Sequence, residues 1–169
     1  ANTWVAIKGS ALSPVTAAWT VTGATLPTAP VGGVSVTVNG EAVSVSAVSS
    51  QQINFLVPAD IPLGNAQIVV SSNGLTSASV PVVVAALAPA FFPLGTVAAS
   101  GHTYIAATHA NFSVLAPPNF ISATVTSSPG AAGETIVLFG TGFGPTINGQ
   151  LALPVPPTVV IDGFAANVL

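Results

Sequence analysis

Val159-Val160-Ile161-Asp162-Gly163-Phe164-Ala165 repeats the pattern of Val36-Thr37-Val38-Asn39-Gly40-Glu41-Ala42. In both stretches β-branched residues run up to a two-residue turn, and the turn is Asn-Gly in one and Asp-Gly in the other. Both central positions of a type I′ hairpin turn need positive φ, and these pairs supply it most readily. The repeat extends further back. Trp4-Val5-Ala6-Ile7-Lys8-Gly9 aligns with Thr135-Ile136-Val137-Leu138-Phe139-Gly140, each an apolar strand pattern ended by glycine, with Pro14 and Pro145 following at equal distances. One β-unit is therefore written twice. The first copy continues to residue 86, and the second reaches residue 169 without the later strands of the first.

The remaining turn signals divide the first copy into short strands. A period-two strand occupies 34–38, its return 42–47, and a third strand 52–57 is closed by Pro58. Asn73-Gly74 marks a second hairpin between 66–71 and 75–84. Trp19 and Leu26 are expected to pin the long Thr- and Pro-containing connection 14–33 to the sheets. Burial on both faces is expected for Val80-Pro81-Val82-Val83-Val84. Strands spaced about every ten residues by turn signals indicate an antiparallel β-sandwich. The chain is read as all-β, with tandem Ig-like units over 1–86 and 134–169, the second incomplete. Residues 87–133 form an extended linker with accessory strands.

Composition supports strands and narrows function. Half of the 169 residues are apolar, largely Val, Ala, Leu and Ile. One lysine and four acids are the only Lys, Arg, Asp and Glu residues, so charged residues make up 3% against a usual share of about 25%. Phosphate backbones are bound by clustered cations, which excludes a nucleic-acid partner. No apolar run reaches the roughly 18 residues of a membrane span. There is no cysteine and no methionine, the commonest oxidation targets, which suits an extracellular or cell-surface location.

The motifs that invite chemical readings each have a local structural one. His102 and His109 lack a nearby carboxylate or thiol in sequence, so no metal site is expected. Neither has a sequence-adjacent Ser and Asp, and there is no G-x-S-x-G elbow. Gly140-Thr141-Gly142-Phe143-Gly144 is read as a turn, because a phosphate loop needs a following helix and Pro145 with a strand pattern follows instead. Glu41 and Asp162 are assigned to hairpin turns with Asn39, Gly40, Asn73, Gly74 and Gly163. Asn111-Phe112-Ser113 is the one glycosylation sequon. The expectation is a chain that is not an enzyme and uses no cofactor.

Four further stretches carry a resemblance. Ser50-Gln51-Gln52-Ile53-Asn54-Phe55-Leu56-Val57-Pro58, following V-x-V-N-G, resembles the IPT/TIG branch of immunoglobulin-like domains. Ala88-Pro89-Ala90-Phe91-Phe92, Ala106-Ala107-Thr108-His109-Ala110 and the run from Gly133 through Glu134-Thr135-Ile136 to Pro145 resemble an uncharacterised C-terminal module of large secreted bacterial proteins. The resemblance implies an Ig-like fold on a secreted bacterial protein and no particular activity.

An Ig-like unit without its last strands exposes apolar surface and unpaired edges. Three completions are open: further chain beyond Leu169, packing of the half unit on the first unit, or strands of another copy, the last being a head-to-tail contact whose repetition builds a filament. Function is accordingly read as a structural subunit of an extracellular filament or surface appendage. Its partners are copies of itself. The alternative is a binding module that contacts glycan or protein. Phe91, Phe92, Ile136, Leu138, Val159, Ile161 and Val168 are the expected assembly interface.

Overall fold

The structure is a computed structural model, and it describes all residues except 1, 24, 98–100, 145, 148–149 and 152–156; side chains of 146–147 and 150–151 are likewise outside the description. The described residues are all-β, without a helix. No helix is long and apolar enough to cross a membrane. The chain divides into two compact units, Ala1–Ala88 with Gly144–Leu169, and Pro89–Phe143.

The first unit opens with β1 (Thr3–Lys8), β2 (Ala17–Ala18), β3 (Val34–Val38), β4 (Glu41–Ala42), β5 (Ser44–Val48) and β6 (Gln52–Val57). It continues with β7 (Gly64–Ser72), β8 (Leu75–Thr76) and β9 (Val80–Val84). One antiparallel sheet runs β1-β6-β5-β2; the other runs β4-β3-β7-β8, with β9 also paired to β7. Period-two alternation turns one side of each strand inward. Val34, Val36 and Val38 of β3, Val45 and Val48 of β5, Ile53 and Phe55 of β6, and Ala66 of β7 meet in one core. Val5 and Ile7 of β1 and Ile68 and Val70 of β7 pack against it. The two sheets thus bury their apolar sides against each other.

The return strand differs from the expected single run over 42–47. Glu41–Ala42 pairs with β3, whereas Ser44–Val48 pairs with β6 in the opposite sheet. The chain changes sheets at Val43, which is itself buried in the core. Three consecutive buried residues, Val43, Ser44 and Val45, interrupt the alternation at this crossing. The Val80–Val84 run is also corrected. Val82 and Val84 pack against the core, while Val80 and Val83 are exposed, so β9 is covered on one face only.

Both Asn-Gly turns adopt the expected conformation: Asn39 and Gly40 have φ of 53° and 85°, Asn73 and Gly74 of 49° and 84°. Asn39 adds a long-range tie, its Oδ1 accepting the Gln67 backbone N–H at 2.9 Å. Trp19 is held by its backbone N–H to Ser46 O and meets Trp4 edge-on, with ring centroids 5.6 Å apart. Leu26 remains exposed.

The second unit contains β10 (Ala90–Phe91), β11 (Pro93–Thr96), β12 (Thr103–Ile105), β13 (Ala107–His109), β14 (Val114–Leu115), β15 (Ser127–Ser128), β16 (Ile136–Leu138) and β17 (Gly140–Thr141). Its sheets are β15-β14-β13-β16 and the pairs β10-β17 and β11-β12. The β14–β15 pairing is parallel; the others are antiparallel. The unit boundaries differ from the expected divisions at 86/87 and 133/134. Residues 134–143 supply two strands, β16 and β17, to partners within 90–109, and the accessory strands expected in 87–133 are β10 to β15. Gly140-Thr141 is likewise corrected from a turn to a strand. The reversal follows at Gly142 and Gly144, where φ is 75° and 118°.

Beyond the second unit lie β18 (Thr146–Ile147) paired with β19 (Gln150–Leu151), and β20 (Val159–Ile161) paired with β21 (Phe164–Ala166). Asp162 and Gly163 join β20 and β21 with φ of 49° and 83°, the I′ turn expected of them.

Candidate functional site

Two features of the described residues stand out, an uncovered hairpin and a polar cluster. The hairpin β20–β21 has the register of its counterpart in the first copy. Val160 faces Ala165 and Ile161 faces Phe164, as Thr37 faces Ala42 and Val38 faces Glu41. Residues opposite each other in an antiparallel pair share a face. The face carrying Val159, Ile161 and Phe164 therefore corresponds to the face carrying Val36 and Val38. In the first copy Val36 is 0% and Val38 2% exposed, and Glu41, the counterpart of Phe164, is exposed; in the hairpin Val159 is half-buried, Ile161 is 48% exposed and Phe164 77%. The edges differ as well. β3 pairs on its far side with β7, from Val34↔Ser72 to Val38↔Ile68. No strand among the described residues pairs with the corresponding edge of β20.

The other expected interface residues lie in varied surroundings. Ile136 and Leu138 are half-buried on β16, the edge of its sheet. Phe91 pairs through β10 and packs its ring against Phe143 at 5.7 Å, and the Phe92 backbone bonds Phe139 and Ala106. Val168 is exposed beyond β21.

The polar cluster was not legible in the sequence. His109 closes β13, and the expectation that no carboxylate or serine partners it is overturned. Its Nδ1 stands 3.0 Å from Glu134 Oε2, and its Nε2 stands 3.0 Å from Ser128 Oγ and 3.2 Å from Ser128 O. The partners are 19 and 25 residues away in sequence. Sheet pairing assembles the group. β13 lies between β14 and β16, β14 holds β15, and alternation in β15 turns Ser127 inward, where its Oγ donates to Pro117 O at 2.7 Å, and leaves Ser128 outward. Glu134 is fixed in turn by the Ala131 N–H, which donates to Oε1 at 3.0 Å. Gly130 makes room for that carboxylate, since a Cβ there would lie 2.9 Å from Oε1.

His109, Asn111, Ser113, Ser128 and Glu134 line an open cavity of about 350 Å³. Asn111 is the sequon asparagine. It sits in an exposed turn where Phe112 has φ of 64°, and its Oδ1 accepts from both Ser113 N (3.0 Å) and Ser113 Oγ (2.7 Å). His102 is not part of this group. Among the described residues, no three His, Asp or Glu side chains gather in a way that would hold a metal.

The hydrogen bond to Glu134 raises the His109 pKa above its ordinary value, aided by the Ser128 carbonyl and opposed by partial desolvation. The bond to His109 lowers the Glu134 pKa, aided by the Ala131 amide. The signs define a window. Glu134 adds stability that is present above its ordinary value of 4.5 and lost as pH falls through its lower folded value. His109 adds stability that is present below its ordinary 6.5 and lost as pH rises through its higher folded value. The second unit is expected to melt highest between pH 4.5 and 6.5, and the dependence should flatten in His109→Gln. Thermal melts followed by Tyr104, the only tyrosine and a residue of this unit, measure it. A parallel pH dependence in the variant would show that other groups carry it.

No family model, no curated protein and no solved structure matches this chain.

Proposed function

We propose that this chain is a structural protein of the bacterial cell exterior, built on an IPT/TIG-type sandwich, that assembles with copies of itself into filaments. The observation that carries the reading is the β20–β21 hairpin. It repeats a core hairpin of the first copy, yet Ile161, the counterpart of buried Val38, is exposed, and the edge that β7 covers in the first copy is unpaired among the described residues. A strand edge with unpaired N–H and C=O groups is a template for β-addition. The occupant argued for is an extended, β-branched segment of a neighbouring copy, because the chain's own solution for this edge is Ile68-Val69-Val70 of β7. Low charge supports a self-partner: with a net charge of −3 over 169 residues, electrostatic repulsion between copies is weak. A hairpin on one copy filled by a different segment of the next is a heterologous contact, which propagates as an open filament.

Negative-stain microscopy of the concentrated chain, beside a variant carrying Ile161→Asp and Phe164→Asp, tests this reading. Uniform fibres are expected from the parent and dispersed particles from the variant, because two carboxylates would have to be buried without partners. Dispersed parent particles at high concentration, or fibres that survive both substitutions, would refute it.

A further inference from the structure

We propose that Ser128, His109 and Glu134, with Asn111 on the same cavity wall, form an acyl-transfer site that hydrolyses neutral esters with short acyl groups. The inference does not depend on assembly; it rests on the second unit alone.

The geometry satisfies the demands of an activated nucleophile in order. A serine hydroxyl is a weak nucleophile until a base within about 2.6–3.2 Å takes its proton, and the base must be oriented by a third group. Ser128 Oγ lies 3.0 Å from His109 Nε2, and His109 Nδ1 lies 3.0 Å from Glu134 Oε2. In the neutral ring the carboxylate favours the proton on Nδ1, which leaves Nε2 as an acceptor facing the hydroxyl; the Ser128 carbonyl, 3.2 Å from Nε2, favours the protonated ring instead, so His109 serves as the base only above its raised pKa. The Ala131 amide holds the carboxylate itself. Each group in the series is positioned by the next, and the hydroxyl at its end is on the solvent side of β15.

The same cavity supplies a donor for developing negative charge. Asn111 Oδ1 is occupied by Ser113, which leaves its Nδ2 amide as the donor. A side-chain amide aimed at an oxyanion is one established way to stabilise a tetrahedral intermediate. The cavity is open to solvent and offers about 350 Å³, room for a short acyl group. The chain's only Lys or Arg side chain is Lys8, which bonds Gln52 in the first unit, so the cavity has no Lys or Arg to offset Glu134 against an anionic substrate.

The reaction balances as follows. Ser128 Oγ bonds to the ester carbonyl carbon while its proton passes to His109 Nε2, and the carbonyl oxygen becomes an oxyanion facing Asn111. Collapse breaks the carbon–alkoxy bond, and the leaving alkoxide takes the proton from Nε2. Water then attacks the acyl-serine, passing a proton to Nε2. The second collapse releases the carboxylic acid, and Ser128 Oγ recovers its proton. The sum is ester and water giving acid and alcohol.

The test uses the full chain with p-nitrophenyl acetate and, separately, a fluorophosphonate probe read by peptide mass mapping. Expected are hydrolysis above the uncatalysed rate, a single modification at Ser128, and a loss of about 10²-fold or more in Ser128→Ala and His109→Gln. Asn111→Ala should lower the acylation rate by about 10²-fold while leaving the reactivity assignment at Ser128 intact. The rate should rise with pH as His109 becomes neutral. Hydrolysis equal to background, modification elsewhere or nowhere, or an unchanged rate in a folded Ser128→Ala would each overturn the proposal. If a variant fails to fold, mapping on the parent chain decides the question alone.

Discussion

Replacing Phe55 with alanine is expected to destabilise the first unit by about 3–5 kcal/mol. Phe55 is the largest of the fully enclosed side chains, at 0% exposure. It lies on β6, between β1 and β5, opposite Val5 on one side and Val45 on the other. Its loss leaves a cavity bounded by strands of both sheets, which cannot collapse without moving a backbone that is hydrogen-bonded on both edges. The cost is a large share of the roughly 5–15 kcal/mol that holds a typical domain together. A fall in melting temperature of more than about 12 °C follows for a unit of this size. Both tryptophans, Trp4 and Trp19, lie in this unit and touch, so their fluorescence reports it. Leu75→Ala is the control: Leu75 is exposed, and the change should stay within about 0.5 kcal/mol. Equal shifts from the two substitutions would mean that the two-sheet core is misassigned.

In the second unit the largest expected effect comes from the smallest substitution. Gly140→Ala should destabilise by about 1–3 kcal/mol. A Cβ at this position would lie 2.7 Å from Ala90 O and 2.7 Å from a ring carbon of Phe143, with Phe91 at 3.2 Å. Ala90 O belongs to the backbone of the strand that β17 pairs with, so it cannot turn aside as a flexible side chain could. Either β10 and β17 part or the Phe91–Phe143 packing is lost. Tyr104 packs against Phe120 in the same unit, with centroids 4.8 Å apart, and its signal should change at lower denaturant concentration while the tryptophan transition stays in place. An unshifted Tyr104 transition would show that β17 yields without cost.

These two sites mark what local sequence can and cannot disclose. Alternation and Asn-Gly turns specify β3 with its turn, β6 and β7 from within a few residues, because side-chain period and turn φ are local properties. Ser44–Val48 has an equally regular pattern, but which sheet it joins depends on Val43, and a partner is not a local property. The Val80–Val84 run has no alternation to read, so its single covered face follows only from where β7 lies. The repeat correctly relates Asp162-Gly163 to Asn39-Gly40. It misleads at Gly140-Thr141, where a shared motif has a strand partner, β10, that the first copy lacks. Glu134, His109 and Ser128 are individually ordinary in sequence. Their chemistry comes from strand order, since three pairings must form before the side chains meet, and no spacing of residues announces that.

The hairpin joins the sequence repeat to the proposed function, and its backbone amides give the most direct test. Hydrogen exchange at Val159, Val160 and Ile161 should be compared between the concentrated, assembled chain and the dilute chain. The strand-addition account predicts strong protection of the outward-facing amides of β20 on assembly, with little change on β3, whose edge is already covered by β7. Exchange at 159–161 that is equally fast in both states, in material that has assembled, would contradict it.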